Sequence, residues 1–140
     1  MPRTLALDPG DQHVGTALSD ELGMLAEPYR TVTPDELESF LDQIIPQESI
    51  STIVIGYPKT MRGTISAQTQ KSIDLKEQLA CRFPDLKLVL WDERLTSQSA
   101  ARLKKSNDKA SRLHQHSIAA AIILQTYLDS SYFLAEPSEE

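Results

Sequence analysis

Hydrophobic residues fall into short runs early in the chain and into helical spacing later. Residues 3–8 (Arg-Thr-Leu-Ala-Leu-Asp) predict a strand with a carboxylate at its C-terminal end. Pro9-Gly10-Asp11 is turn chemistry, and residues 13–19 predict a second strand, so the pair reads as a hairpin. Residues 27–33 predict a third strand, and the short connections make the three antiparallel. Thr33-Pro34-Asp35-Glu36 has the layout of a helix start: a Thr cap, Pro at the first helical position and Glu closing a capping box. Leu37, Phe40, Leu41, Ile44 and Ile45 then recur at helical spacing. The β-branched run Ile50 to Ile55 predicts a buried strand, ended by Gly56-Tyr57-Pro58. A helix is predicted over 66–82, with Leu75, Leu79 and Phe83 four apart. Another buried strand, Leu86 to Trp91, ends in Asp92-Glu93. A helix over 97–104, a polar loop over 105–111 and an apolar helix from His114 to Leu128 complete the pattern. The order β-β-β-α-β-α-β-α-α predicts an α/β domain. Its mixed five-stranded sheet has an antiparallel meander followed by parallel βαβ units, with helices on its flanks.

The length of 140 residues supports one domain, placed at 1–129, with 130–140 as a flexible acidic tail. Hydrophobic residues at 40% are enough for a core. Acidic residues outnumber Lys and Arg by 20 to 14, giving a net charge of −6. That argues against coating nucleic acid by bulk charge, but leaves room for a local basic face. The single cysteine, Cys81, excludes a disulfide framework and a Cys-based zinc site. Its neighbours Leu79 and Phe83 predict a packed, inert thiol. No apolar run approaches the roughly 20 residues of a membrane span. An acid at position 8 does not fit a signal peptide, so the expectation is a cytoplasmic protein with no membrane partner.

Candidate chemistry sits at the strand ends. Asp8 and Asp92-Glu93 lie at the C-termini of predicted strands, where open α/β sheets bind ligands. Carboxylates brought together there repel unless a cation lies between them. Hard oxygen donors select Mg²⁺ or Mn²⁺ over zinc, and such a cation supports phosphodiester cleavage. Taken alone, strand-end acids are more readily explained as solvated groups or helix caps.

Four sequence blocks change that balance. Leu5-Ala6-Leu7-Asp8-Pro9-Gly10-Asp11 with Val14-Gly15-Thr16-Ala17-Leu18-Ser19-Asp20 resembles the opening of the YqgF family, also called RuvX. Gly56-Tyr57-Pro58-Lys59-Thr60-Met61-Arg62-Gly63-Thr64 resembles its second block, and Trp91-Asp92-Glu93-Arg94-Leu95-Thr96-Ser97 its third. Ser117-Ile118-Ala119-Ala120-Ala121-Ile122-Ile123-Leu124-Gln125 resembles its last. The blocks stand in the family's order and cover residues 4–129. The resemblance implies a ribonuclease H-like fold related to the RuvC Holliday junction resolvases. It also implies a nuclease that matures the 5′ end of pre-16S ribosomal RNA. By position, Asp8 matches the first catalytic acid and Glu93 the second. The family's third acid stands three residues before the Ala pair at 119–120, and here that residue is His116.

This departure has two readings. His116 is a surface histidine and the site has lapsed, leaving a nucleic-acid-binding ribosome-assembly factor; or its ring nitrogen replaces a carboxylate oxygen on the cation. The second reading makes Asp8, Glu93 and His116 the catalytic and metal-binding set, and favours Mn²⁺ over Mg²⁺. His114, two residues away, does not share that helical face. His13 lies on the second predicted strand and carries no assigned chemistry.

Charge is unevenly spread. Residues 94–114 hold Arg94, Arg102, Lys104, Lys105, Lys109 and Arg112 against Asp108, a net +5 that leaves −11 for the rest of the chain. This stretch joins the second acid to His116, where a phosphate backbone would need to lie. Lys59 and Arg62 form a second basic rim in the block that begins at Gly56, although the family more often has Asn and Asp where Thr60 and Arg62 stand. Structured RNA is the expected partner and branched DNA the rival. Junction resolution takes two matched cuts by a two-fold dimer, and the sequence has no clear dimer stripe, so a monomer or weak homodimer is expected. Sugar kinases and actin also open on an Asp-x-Gly hairpin, but they need two such lobes.

Overall fold

The computed structural model describes residues 2–10, 12–57, 67–92 and 109–135. Among the described residues there are five strands: β1 (Arg3–Pro9), β2 (Val14–Ser19), β3 (Ala26–Val32), β4 (Ile50–Tyr57) and β5 (Lys87–Asp92). They form one sheet in the order β3-β2-β1-β4-β5. The β1–β2 and β2–β3 pairs are antiparallel, whereas β1–β4 and β4–β5 are parallel. This is the predicted meander followed by βαβ units. The helices are α1 (Leu37–Gln47), α2 (Ala67–Arg82) and α3 (Lys109–Ala135).

Strand alternation divides the core by side-chain size. Leu5, Leu7, Ile53 and Ile55 face one side, where they pack with Leu37, Phe40, Leu41 and Ile44 of α1 and Leu79 of α2. Ala6, Ala17 and Val54 face the other side, against Ala120, Ala121, Ile123, Leu124 and Leu128 of α3. Large branched residues fill the wide gap under two helices. Small ones let a single long helix lie close to the sheet. β1 is central, so Leu5, Ala6 and Leu7 are all fully buried.

The start of α1 forms as the sequence predicts. Thr33 Oγ1 accepts from the Glu36 N–H (3.3 Å) and Glu36 Oε1 accepts from the Thr33 N–H (3.0 Å). The first turn, Pro34–Glu36, is a 3₁₀ turn that continues into α1. Between β2 and β3 the register shifts between Gly15 and Ala17. There the buried Thr16 hydroxyl replaces the missing ladder bonds: it donates to the Arg30 carbonyl (2.6 Å) and accepts from the Arg30 N–H (3.0 Å). The bulge also explains how Val32 joins the α1 side of the core while Ala26 packs with the α3 side.

Several expectations are corrected. β5 is half-buried rather than buried, because among the described residues β4 is its one strand neighbour in the sheet. Cys81 is exposed on α2, since Leu79 takes the inward position of that turn. α3 already includes residues 109–111, expected to be loop, and runs to Ala135, so residues 130–135 are helical where the sequence reads as tail. The expected helix over 97–104 lies outside the described residues. Among the described residues no helix is long and apolar enough to cross a membrane.

Candidate nucleic-acid cleavage site

The β1–β2 hairpin and α3 build the site. Asp8 stands near the C-terminal end of β1, directly opposite Gly15 of β2. Residues opposite each other in an antiparallel pair share a face. Asp8 and Gly15 therefore share the face of Ala6 and Ala17, which is the α3 side. Gly15 has no side chain for a physical reason: a β-carbon there would overlap the His116 carbonyl and stand 3.0 Å from the Ser117 nitrogen. The helix backbone thus rests on the strand at the level of Asp8, and it brings His116 with it.

His13 completes this corner. It is the last residue before β2, and its carbonyl accepts from the Gly10 N–H (2.9 Å), closing the hairpin. Its ring lies 5.2 Å from that of His116, centroid to centroid, tilted by 32°. Both histidines and Asp8 are half-buried. His114, in contrast, is exposed. Ser117 is buried, and its hydroxyl donates to the His114 carbonyl (2.8 Å), a bond internal to the helix. The other end of α3 is tied to β3: Gln125 accepts from the Ala26 N–H (2.9 Å) and donates to the Met24 carbonyl (2.8 Å).

On β5, Val89 and Trp91 pack on the α3 side, Trp91 edge-on to Tyr127 at 5.4 Å. The Trp91 indole N–H is buried without a hydrogen-bond partner among the described residues. Leu88 and Leu90 pack on the opposite side, so Asp92 has the parity of the far face. Asp92 therefore does not share the face of Asp8. A cleft of about 320 Å³ between the hairpin, α1 and α2 lies on the far side too, lined by Pro9, Val14, Leu37, Leu75 and Leu79. It includes neither Asp8 nor His116.

A family model described as RuvX, Holliday junction resolvase, matches residues 2–130. The chain belongs to the RuvX family. A relative from Acetivibrio thermocellus, provisionally named pre-16S rRNA nuclease, is 37% identical over 138 residues, covering 91% of this chain and 96% of its own length. One from onion yellows phytoplasma, with the same provisional name, is 42% identical over 134 residues, covering 90% and 88%. Among solved structures, T. thermophilus RuvC in complex with a Holliday junction substrate matches with a TM-score of 0.57 at 12% identity, covering 94% of this chain and 96% of RuvC. The fowlpox virus Holliday junction resolvase matches at 0.53 and 13% identity, covering 91% and 99%. These two likenesses establish the RuvC-like, ribonuclease H-like fold. The RuvX chain is accordingly a nuclease, a hydrolase of phosphodiester bonds.

Of the expected site residues, Asp8 and His116 are brought to one side of the sheet. Glu93, Lys59, Arg62, Arg94, Arg102, Lys104 and Lys105 lie outside the described residues. Lys109 and Arg112 fall in the first turns of α3, upstream of His116. Among the described residues no three His, Cys, Asp or Glu side chains converge closely enough to hold a metal ion. The residue that sequence reasoning passed over is His13. Its signal is parity: it stands two residues before Gly15, so an extended backbone places it on the Asp8 face. Asp8 offers carboxylate oxygens and His116 an imidazole nitrogen from the same side of the sheet. Such oxygen and nitrogen donors fit a divalent cation of the Mn²⁺ type.

Proposed function

We propose that this chain is a divalent-cation-dependent endonuclease that processes the 5′ end of pre-16S rRNA in the cytoplasm, as a step of ribosome biogenesis. The observation that carries the reading is the seating of α3 on Gly15, which brings His116 to the sheet face that Asp8 shares near the end of the central strand. Asp8, Glu93 and His116 would hold the cation. Bound there, it would supply Lewis acidity, making water nucleophilic at neutral pH and stabilising the departing oxygen.

The residues themselves orient the substrate. The half-buried carboxylate of Asp8 presents oxygens at the rim of the sheet, and His116 presents nitrogen from the helix above it. Arg94, Arg102, Lys104, Lys105, Lys109 and Arg112, with Lys59 and Arg62 on a second rim, would neutralise phosphates on either side of the scissile bond. A monomer suffices for a single cut in RNA. The names of the relatives support the RNA substrate, and the family description keeps branched DNA as the second reading, which would call for a weak homodimer.

The test is cleavage of a short RNA with a precursor 5′ extension, in Mg²⁺ and in Mn²⁺. Wild type is compared with Asp8→Ala, His116→Ala and His116→Asp. Cleavage by wild type, best in Mn²⁺, lost in both Ala variants and regained in Mg²⁺ by the Asp variant, is the expected result. An inactive wild type with an active His116→Asp variant would instead mean a binding factor whose site has lapsed. If neither cuts RNA but a four-way DNA junction is resolved, the substrate assignment changes.

A further inference from the structure

The His13 and His116 rings come together although they belong to a hairpin and to a helix about a hundred residues away. Two separate constraints hold them there. Hairpin closure through the Gly10 N–H places His13, and the Gly15 contact places the backbone of His116. Neither constraint calls for a histidine. An aliphatic pair would fill the same half-buried corner with more burial of apolar surface and no imidazole nitrogens to satisfy. Two imidazoles bound at about 2.1 Å to one cation at a tetrahedral angle have ring centroids roughly 5 Å apart. The observed separation is 5.2 Å. The 32° tilt is far from edge-on, so neither ring directs its C–H edge squarely at the other's face as in a T-shaped aromatic pair. The register places Asp8 directly opposite Gly15, two residues after His13, on the α3 side of the sheet.

We propose that His13 and His116 together form a two-nitrogen subsite for a single transition-metal dication, making His13 a metal ligand of this chain. The inference rests on the proposed cleavage site and deepens it. The pair supplies borderline nitrogen donors, which favour Mn²⁺, Co²⁺ or Zn²⁺ over Mg²⁺. His13 and His116 therefore act as a unit, and replacement of either one removes one of the two nitrogen donors.

The test is titration of the full chain with Co²⁺ in the absence of nucleic acid, read from the visible absorption of the bound ion. Thermal melts with and without Zn²⁺ run in parallel. The variants are His13→Ala, His116→Ala and His13→Phe, which keeps a ring against His116 but removes both nitrogens. Wild type is expected to bind one Co²⁺ per chain, and each of the three variants to bind it at least about tenfold more weakly. The Zn²⁺-induced rise in melting temperature should shrink in the same order, while the metal-free melts show that the variants remain folded. Co²⁺ binding by His13→Phe equal to wild type would overturn the proposal, because His13 would then only pack on His116. Absence of stoichiometric Co²⁺ binding by wild type would overturn it as well. RNA cleavage is measured separately: tight Co²⁺ binding through both histidines with no cleavage of RNA or junction would sink the nuclease reading and leave the paired subsite standing.

Discussion

The α-carbon of Gly15 faces the carbonyl of His116 so closely that no β-carbon fits between strand β2 and helix α3. One backbone contact thus sets the height of the helix over the sheet and the position of the third candidate ligand relative to Asp8, the strand partner of Gly15. The three nearest neighbours of the absent β-carbon are all backbone atoms, so no side-chain rotation relieves the overlap. Gly15→Ala is expected to destabilise the fold by about 1–3 kcal/mol through overpacking. It should also lower cleavage further than the loss of folded protein explains, because α3 lifts and takes His116 with it. Urea unfolding, with cleavage assayed well below the midpoint, separates the two effects. An unchanged midpoint would mean that the helix is not seated on the strand.

The bulge between β2 and β3 depends on one hydroxyl. Thr16 is fully buried, and it serves both the N–H and the carbonyl of Arg30. Thr16→Val keeps the shape and removes both bonds, leaving two backbone groups unpaired at the bulge. The expected cost is about 1–3 kcal/mol. Thr16→Ser retains the hydroxyl and should keep most of that stability. Equal losses in the two variants, measured by denaturant titration, would show that the methyl group and not the hydroxyl matters.

At the β2–β3 turn, Asp20 accepts from the Met24 N–H (2.9 Å) and the Leu25 N–H (3.2 Å). The bond from Met24 is the largest influence and that from Leu25 the next, and they hold the carboxyl below its usual value. A folded-state pKa below the unfolded one adds stability that is present above the ordinary carboxylate range and is lost as pH falls through the folded value. Asp20→Ala should therefore melt below wild type at neutral pH, with the gap closing on acidification. A gap that stays constant down to strongly acid pH would show that charge plays no part.

The basic stretch before α3 makes an ionic-strength prediction. Lys104→Ala with Lys105→Ala should weaken RNA binding across unrelated sequences. The slope of log affinity against log salt should fall by about one for each phosphate that is no longer neutralised. A filter-binding series at several salt concentrations reads this directly. An unchanged slope would remove these two lysines from the interface.

Much of the architecture is legible in the sequence because it is local. The capping box at Thr33 and Glu36, the helical spacing from Leu37 to Ile44 and the β-branched run from Ile50 are satisfied within a few residues, and each forms where its pattern lies. The ends of elements are less legible. Nothing in 105–111 marks residue 109 as helical, since polar residues on the first turn of a long helix resemble a polar loop. Cys81 reads as internal because Leu79 and Phe83 flank it, but residues two apart on a helix point in different directions: Leu79 and Phe83 pack on the core and Cys81 is exposed.

The order of strands and helices, the family, and Asp8, Glu93 and His116 as candidates can all be read from the amino-acid sequence, because they follow from short-range pattern and from blocks of adjacent residues. Three other relations emerge only when the chain is packed: α3 covers the alanine-lined face of the sheet, Asp92 has the parity of the opposite face, and His13 meets His116. Those relations depend on strand parity, on the register of β1 against β2 and on the close approach allowed at Gly15. They arise between segments far apart in the chain, and no local preference encodes the distance at which those segments pack.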